Sequence, residues 1–169
     1  MARSPAPRTR VARIVSGGQT GVDRAALDVA IELGLPYGGW CPRGGWAEDM
    51  PTPPGLLARY PRLRETPSAD PAERTRLNVR DSSVTLIVRG GVRSAGTDLT
   101  ERHAQQLHRP YLVTEGEAPE DIEDVARWLG SLSPPIVLNV AGPRESEQPG
   151  VHALTRHLLR RLLQPGTSL

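Results

Sequence analysis

Five residues, Gly17-Gly18-Gln19-Thr20-Gly21, follow an apolar run from Val11 to Ser16 and precede a helical pattern. Glycines at such a junction let the backbone turn tightly and approach a ligand. The helix that starts there offers unpaired N–H donors and the positive end of its dipole. The chemistry this suits is the cradling of a phosphate. A second turn of the same kind, Gly90-Gly91-Val92-Arg93-Ser94-Ala95-Gly96-Thr97, follows the apolar run Thr85 to Val88. In a parallel sheet both turns leave the carboxyl edge, so the two are expected at the mouths of neighbouring strands, lining one crevice around one anion. Each turn could equally be a tight connection, and Thr20, Ser94 and Thr97 could simply cap helices.

Other reactive residues narrow the chemistry. Arg76, Asn78 and Asp81 lie just before the second apolar run, where they could read a phosphate and a base or pterin edge, or form a solvated helix end. Glu48, Asp49 and Glu101 are the carboxylates near glycine-rich or irregular loops that could act as acid or base. The pattern G-G-x-x-G is not the dinucleotide G-x-G-x-x-G, and Trp40, Cys41 and Pro42 stand where a ribose-binding acid would be, which argues against NAD. The chain has no lysine; all 21 basic residues are arginine. A pyridoxal Schiff base and the lysine of a Walker loop are therefore excluded. Any fixed cation at a site must be a guanidinium, which suits bidentate contact with phosphate. His103 and His108, and His152 and His157, are each spaced five apart, and one cysteine makes no zinc set. Cys41 remains a candidate ligand for a soft metal such as molybdenum, or a small buried hydrophobe. No G-x-S-x-G elbow is present.

The elements that must position these residues alternate. A strand over 11–16 is followed by a helix over 22–33, with Thr20 and Asp23 resembling a capping box and Gly34 as the stop. A short strand over 37–40 comes next, then a proline-broken stretch over 41–61, an edge strand over 63–66 and a helix from Asp70 to Val79. Thr85–Val88 is a buried strand. The helix after it carries Leu99, His103 and Leu107 on one stripe. A strand over 110–113, a helix opened by Pro119 and stopped by Gly130, a strand over 136–140 and a helix from Val151 complete the pattern. The expected fold is a Rossmann-like α/β three-layer sandwich, its mostly parallel sheet covered by helices on both faces. A chain of 169 residues fits one ligand-binding domain over residues 10–169, behind a disordered basic tail over residues 1–9. Arg3, Arg8, Arg10 and Arg13 precede the first acid; without them the formal charge of +2 becomes −2. The fold itself thus lacks the basic footprint of a nucleic-acid binder. No apolar run is long enough for a membrane span, no secretory signal is apparent, and a cytoplasmic location is expected.

At this point a family resemblance emerges. Ser16 to Asp28 (SGGQTGVDRAALD), Gly39 to Gly44 (GWCPRG) with Ala47-Glu48-Asp49, Arg76-x-Asn78-Val79-x-Asp81-Ser82 with Thr85-Leu86-Ile87, and Gly96-Thr97-x-Leu99-Thr100 together resemble the molybdenum carrier family over residues 11–140. That family is similar to a wider Rossmann-like group containing YpsA-like proteins and the "lonely guy" phosphoribohydrolases. The resemblance implies a phosphorylated, nucleotide-like or pterin ligand, and for the carriers the molybdenum cofactor, held and protected by a homo-oligomer, a dimer or tetramer. It implies one phosphate loop of Gly17, Gly18, Gln19, Thr20 and Gly21, a second of Gly90, Gly91, Ser94, Gly96 and Thr97, and a pocket lined by Arg76, Asn78 and Asp81. Ser82-Ser83 stands where many relatives carry Ser-Asp, and Pro51 to Pro54 where they are richer in glycine. Gly90-Gly91 with Gly96-Thr97 and Glu101 also resembles the phosphoribohydrolase loop with altered spacing. This keeps N-glycosidic hydrolysis of a nucleotide as an alternative, and sensing of a nucleotide-derived ligand as another.

Overall fold

The computed structural model describes residues 10–165; the tail expected over residues 1–9 lies outside them. Six strands form one sheet: β1 (Val11–Val15), β2 (Tyr37–Cys41), β3 (Leu63–Glu65), β4 (Val84–Val88), β5 (Tyr111–Thr114) and β6 (Ile136–Ala141). Their order is β3-β2-β1-β6-β4-β5, and every pairing is parallel. The helices are α1 (Val22–Glu32), α2 (Leu56–Arg59), α3 (Pro71–Arg80), α4 (Ala95–Gln106), α5 (Pro119–Ser131) and α6 (Val151–Leu163). This is the expected Rossmann-like sandwich.

Side-chain alternation along the strands sorts the layers. Ile14, Leu86, Leu138 and Val140 join Val22, Ala26 and Val29 of α1, Val125 and Leu129 of α5, and Leu158, Leu159 and Leu162 of α6 in the main core. Leu27, Cys41, Leu56, Tyr60 and Leu63 make a smaller cluster beneath the edge strand β3. Helices α3 and α4 lie against each other on the opposite face of the sheet.

Five sequence expectations are corrected. β1 and β4 are not neighbours, because β6, the last strand in the chain, is inserted between them. The N-cap of α1 is Gly21 with no side-chain cap; Thr20 and Asp23 do not form a capping box, and their side chains bond elsewhere. α5 continues through Gly130 to Ser131. The stretch over 41–61 holds a 3₁₀ turn at Arg43–Gly45 and the short α2. On α4 the buried residues are Thr97, Thr100 and Ala104, while Leu99, His103 and Leu107 are half-buried. Polar residues win that face because α4 packs near a polar cavity rather than into the main core.

Candidate functional site

The loops after β1, β4 and β6 leave the carboxyl edge of the sheet, where the strand order reverses. That is where open α/β sheets hold ligands. A cavity of about 50 Å³ opens there, lined by Gly17, Asp23, Arg74, Thr75, Asn78, Gly96, Thr100 and the end of β6 from Asn139 to Gly142. Gly17 from the first glycine turn and Gly96 from the second thus face one space across the tip of β6. The volume suits a phosphate-sized group or a few waters, well below the ~300 Å³ or more that a whole drug-sized ligand occupies.

The first turn is built by glycine where no other residue fits. Gly18 and Gly21 adopt φ of 76° and 79°, and a Cβ on Gly21 would stand 2.4 Å from the Pro143 carbonyl oxygen. A Cβ on Gly17 would lie 1.7 Å from Nη1 of Arg74, so the guanidinium rests directly on the bare Cα. From there Arg74 Nη1 donates to Asp23 Oδ2 at 2.7 Å. The Asp23 carboxylate also accepts the backbone N–H groups of Gly142 and Gln19. The cradle therefore already holds an anion, and that anion belongs to the protein. Burial pushes the Asp23 carboxyl above the usual carboxylate value, against the pull of Arg74. Arg74 Nε is buried with no hydrogen-bond partner among the described residues. A buried donor without an acceptor carries an unrecovered desolvation cost.

Around this pair, a polar frame holds the loop. Arg24 donates through Nε to the Gly18 carbonyl at 2.9 Å and grips Asp49 bidentately, both contacts at 2.8 Å. Gln19 Oε1 accepts from Thr20 N and Glu48 N, each at 3.0 Å. Thr20 donates its hydroxyl proton to Glu48, which also accepts from the Ser146 hydroxyl at 2.6 Å. The Arg24 fork holds Asp49 below the usual carboxylate value. Glu48 is also lowered: burial works upward, but the bonds from Ser146 and Thr20 prevail. Both acids are committed to tying loops together, not to acid–base work.

The remaining expected site residues divide. Asn78 lines the cavity, although its amide is spent on Trp40: Nδ2 donates to the carbonyl at 3.0 Å and Oδ1 accepts the Trp40 N–H at 2.7 Å. Arg76 is exposed on the far side of α3. Asp81 accepts from Trp40 Nε1 at 2.8 Å and Arg80 Nε at 2.7 Å, outside the cavity. Gly90 and Gly91 are not an open cradle. Gly90 N donates to the Glu115 carbonyl at 3.0 Å, and Gly91 N to the Glu115 side chain at 2.8 Å. Ser94 and Thr97 form a capping box for α4, so their hydroxyls are consumed locally. Glu101 bonds to Tyr111 at 3.1 Å and Arg89 at 3.4 Å and does not line the cavity. Cys41 is fully buried in the smaller core cluster, and burial, then the nearby Glu65, pushes its thiol up to about 11. That is the reverse of what a thiolate ligand needs. No group of three or more His, Cys, Asp or Glu that could hold a metal occurs among the described residues.

Asp23, Arg74, Thr100 and Asn139 were not among the expected ligand-binding residues. Arg74 and Asn78 are four apart on α3, hence on one face, whereas Arg76 points away. Asn139 is a lone amide inside an apolar strand, donating to Thr85 Oγ1 at 3.2 Å. These patterns were the available signals.

The profile of the "Circularly permutated YpsA SLOG family" matches residues 14–163. A crystal structure from Syntrophus aciditrophicus SB, described as a "putative molybdenum carrier protein", is 40% identical, with a TM-score of 0.80, over 92% of this chain and 97% of that one. No curated protein matches.

Proposed function

The chain belongs to the circularly permutated YpsA SLOG family, and on that premise we propose that it binds a phosphorylated small molecule at the cavity between Gly17 and Gly96, with the molybdenum cofactor as cargo. The observation that carries this reading is the shared cavity: two glycine turns distant in the chain face one polar space beside Arg74, whose buried Nε has no partner among the described residues. The printed name of the Syntrophus structure points to the same cargo.

The cavity size fixes how such a ligand would sit. Only the phosphate end fits; the pterin body must lie across the mouth, outside the sheet edge. Arg74 is the residue that meets the phosphate. Its guanidinium exchanges Asp23 for the ligand, since a phosphate accepts two parallel N–H bonds and is more highly charged than a carboxylate. Asp23, already raised by burial, then takes up a proton, so that no bare carboxylate faces the phosphate. Main-chain donors of the first turn and the open backbone at Gly96 complete the shell.

Hydrolysis of a nucleotide N-glycosidic bond has less support. Glu101, its candidate acid, is turned onto Tyr111 and Arg89. A carrier that releases its cargo unchanged needs no such acid.

The test is anaerobic mixing of the protein with molybdenum cofactor, followed by gel filtration and by the rate of cofactor decay. Co-elution and slowed decay support the reading. Decay at the rate of free cofactor with no co-elution rejects it, and release of free base from nucleoside monophosphates turns the assignment to the hydrolase.

A further inference from the structure

A second pocket, of about 240 Å³, lies on the α3 side of the sheet and shares no residue with the first. It is lined by Arg13 and Val15 of β1, Gly39 and Trp40 of β2, Arg62, Arg64 and Asp81. Strand alternation explains the composition. Ile14, Cys41 and Leu63 point into the two apolar clusters, which turns Arg13, Trp40 and Arg64 to the opposite face; Arg62 joins the lining from the turn before β3. A parallel sheet usually has both faces covered by apolar contacts. Here the part of the face over β1, β2 and β3 carries guanidinium groups instead.

Those groups form no ion pair of their own, although the Asp81 carboxylate feels Arg64 at longer range. Among the described residues, none of Arg13, Arg62 and Arg64 enters a salt bridge or donates a side-chain hydrogen bond; Arg62 lies 5.7 Å from the Tyr37 ring centre and Arg64 5.9 Å from that of Trp40. The one acid in the pocket, Asp81, is already matched by Arg80 and by the Trp40 N–H. The arrangement is also built by backbone shape. A Cβ on Gly38 would stand 1.9 Å from Arg13 Nη2, so the guanidinium lies flat against a strand that glycine leaves bare. Three exposed guanidiniums without ion pairs around one hollow repel one another, and an anion between them relieves that repulsion.

We propose that this pocket is a second ligand site, taking a small anion with two linked phosphate groups. The spread of charge favours the class: a phosphate monoester carries about −1.5 to −2 near neutral pH and reaches fewer of the three guanidiniums than two linked phosphates do. Guanidinium forks on phosphate oxygens give the contacts, and the Trp40 indole beside Arg64 gives the site a built-in reporter.

Inorganic pyrophosphate is the probe. Calorimetric titration of the full chain should give a site whose occupancy is accompanied by a change in tryptophan emission that Trp40→Phe abolishes. Arg64 is exposed on the edge strand β3 and Arg62 in the turn before it, so Arg62→Ser with Arg64→Ser should fold normally by circular dichroism and weaken pyrophosphate by about tenfold or more, as expected for lost charge-assisted bonds. Arg13→Ser, a separate variant on β1, should weaken it too. Orthophosphate should bind much more weakly than pyrophosphate. Gly96→Leu, which fills the other cavity, should leave pyrophosphate binding unchanged. The proposal is overturned if the wild-type chain shows no binding at millimolar pyrophosphate, if the arginine variants bind as well as wild type, or if Gly96→Leu abolishes binding, which would put the anion in the first cavity.

Discussion

Replacing Gly17 by alanine should uncouple the buried ion pair at the first cavity. The new methyl carbon would lie 1.7 Å from Nη1 and 2.7 Å from Cζ of Arg74, so the guanidinium must shift, and a shift off the bare Cα breaks its bond to Asp23. The backbone itself is untroubled, because Gly17 is not among the glycines with positive φ. The cost therefore falls on Asp23, whose side chain is 5% exposed. Removing one partner of a buried pair costs about 3–5 kcal/mol. Asp23 keeps two backbone donors and can protonate, which places the loss near the lower end, about 3 kcal/mol at pH 8. With a urea slope of about 1–3 kcal/mol/M, the midpoint should fall by about 1–3 M. The loss should shrink at pH 5. A carboxyl whose folded pKa lies above its unfolded value binds more protons when folded, so stability declines as pH rises from the unfolded value through the folded one. Asp23 is such a group, and losing Arg74 raises it further and steepens that decline. Urea unfolding of both proteins at pH 5 and pH 8 measures this. A midpoint within about 0.3 M of wild type at both pH values would refute the close packing of Arg74 on Gly17 or the value of the pair.

Other perturbations separate framework from site. Asp49→Asn strips the buried Arg24 of its bidentate partner; because Asp49 is 44% exposed, the destabilisation should be about 1–2 kcal/mol by denaturant melt. The wild-type contribution from Asp49 is present above its unfolded pKa near 3.8 and fades as pH falls through its lower folded value, so the two proteins should converge in acid. Ser94→Ala should cost about 1 kcal/mol through the lost cap of α4 while leaving cofactor affinity unchanged, as read by thermal melting and binding on the same samples. Cys41 should resist thiol reagents at pH 8 in the native protein and react fully in denaturant, given complete burial and a thiol pushed to about 11. Light scattering on gel-filtered protein checks the homo-oligomer that the family resemblance implies: a dimer or tetramer is expected, and a monomer at high concentration removes it.

Local features of the fold were legible because they rest on local physics. The proline at the start of α3, the Asp70 cap, the edge strand β3 and the apolar strand β4 follow from turn chemistry and periodicity. The place of β6 between β1 and β4 was not legible, since strand order depends on contacts between residues more than 50 apart in the chain. The glycine turns were recognised, but whether their N–H donors are free was not, because Glu115 and Asp23 decide that through the fold. Arg76 was favoured over Arg74 by motif; the helical repeat that links Arg74 to Asn78 pointed to the other arginine. Glu48 and Asp49 looked like free acids until Arg24, Thr20 and Ser146 were seen to hold them.

The shared cavity is tested most directly by Gly96→Leu. A Cβ at that position meets nothing closer than Ser94 Oγ at 4.0 Å, and the backbone needs no glycine, so the variant should fold and gain helix propensity. Its side chain should fill the space between Gly17 and Gly96. Equilibrium binding of molybdenum cofactor should then weaken by about tenfold or more relative to wild type, with the melting temperature unchanged or raised. Equal affinity in the two proteins would contradict a phosphate seat between the two glycine turns.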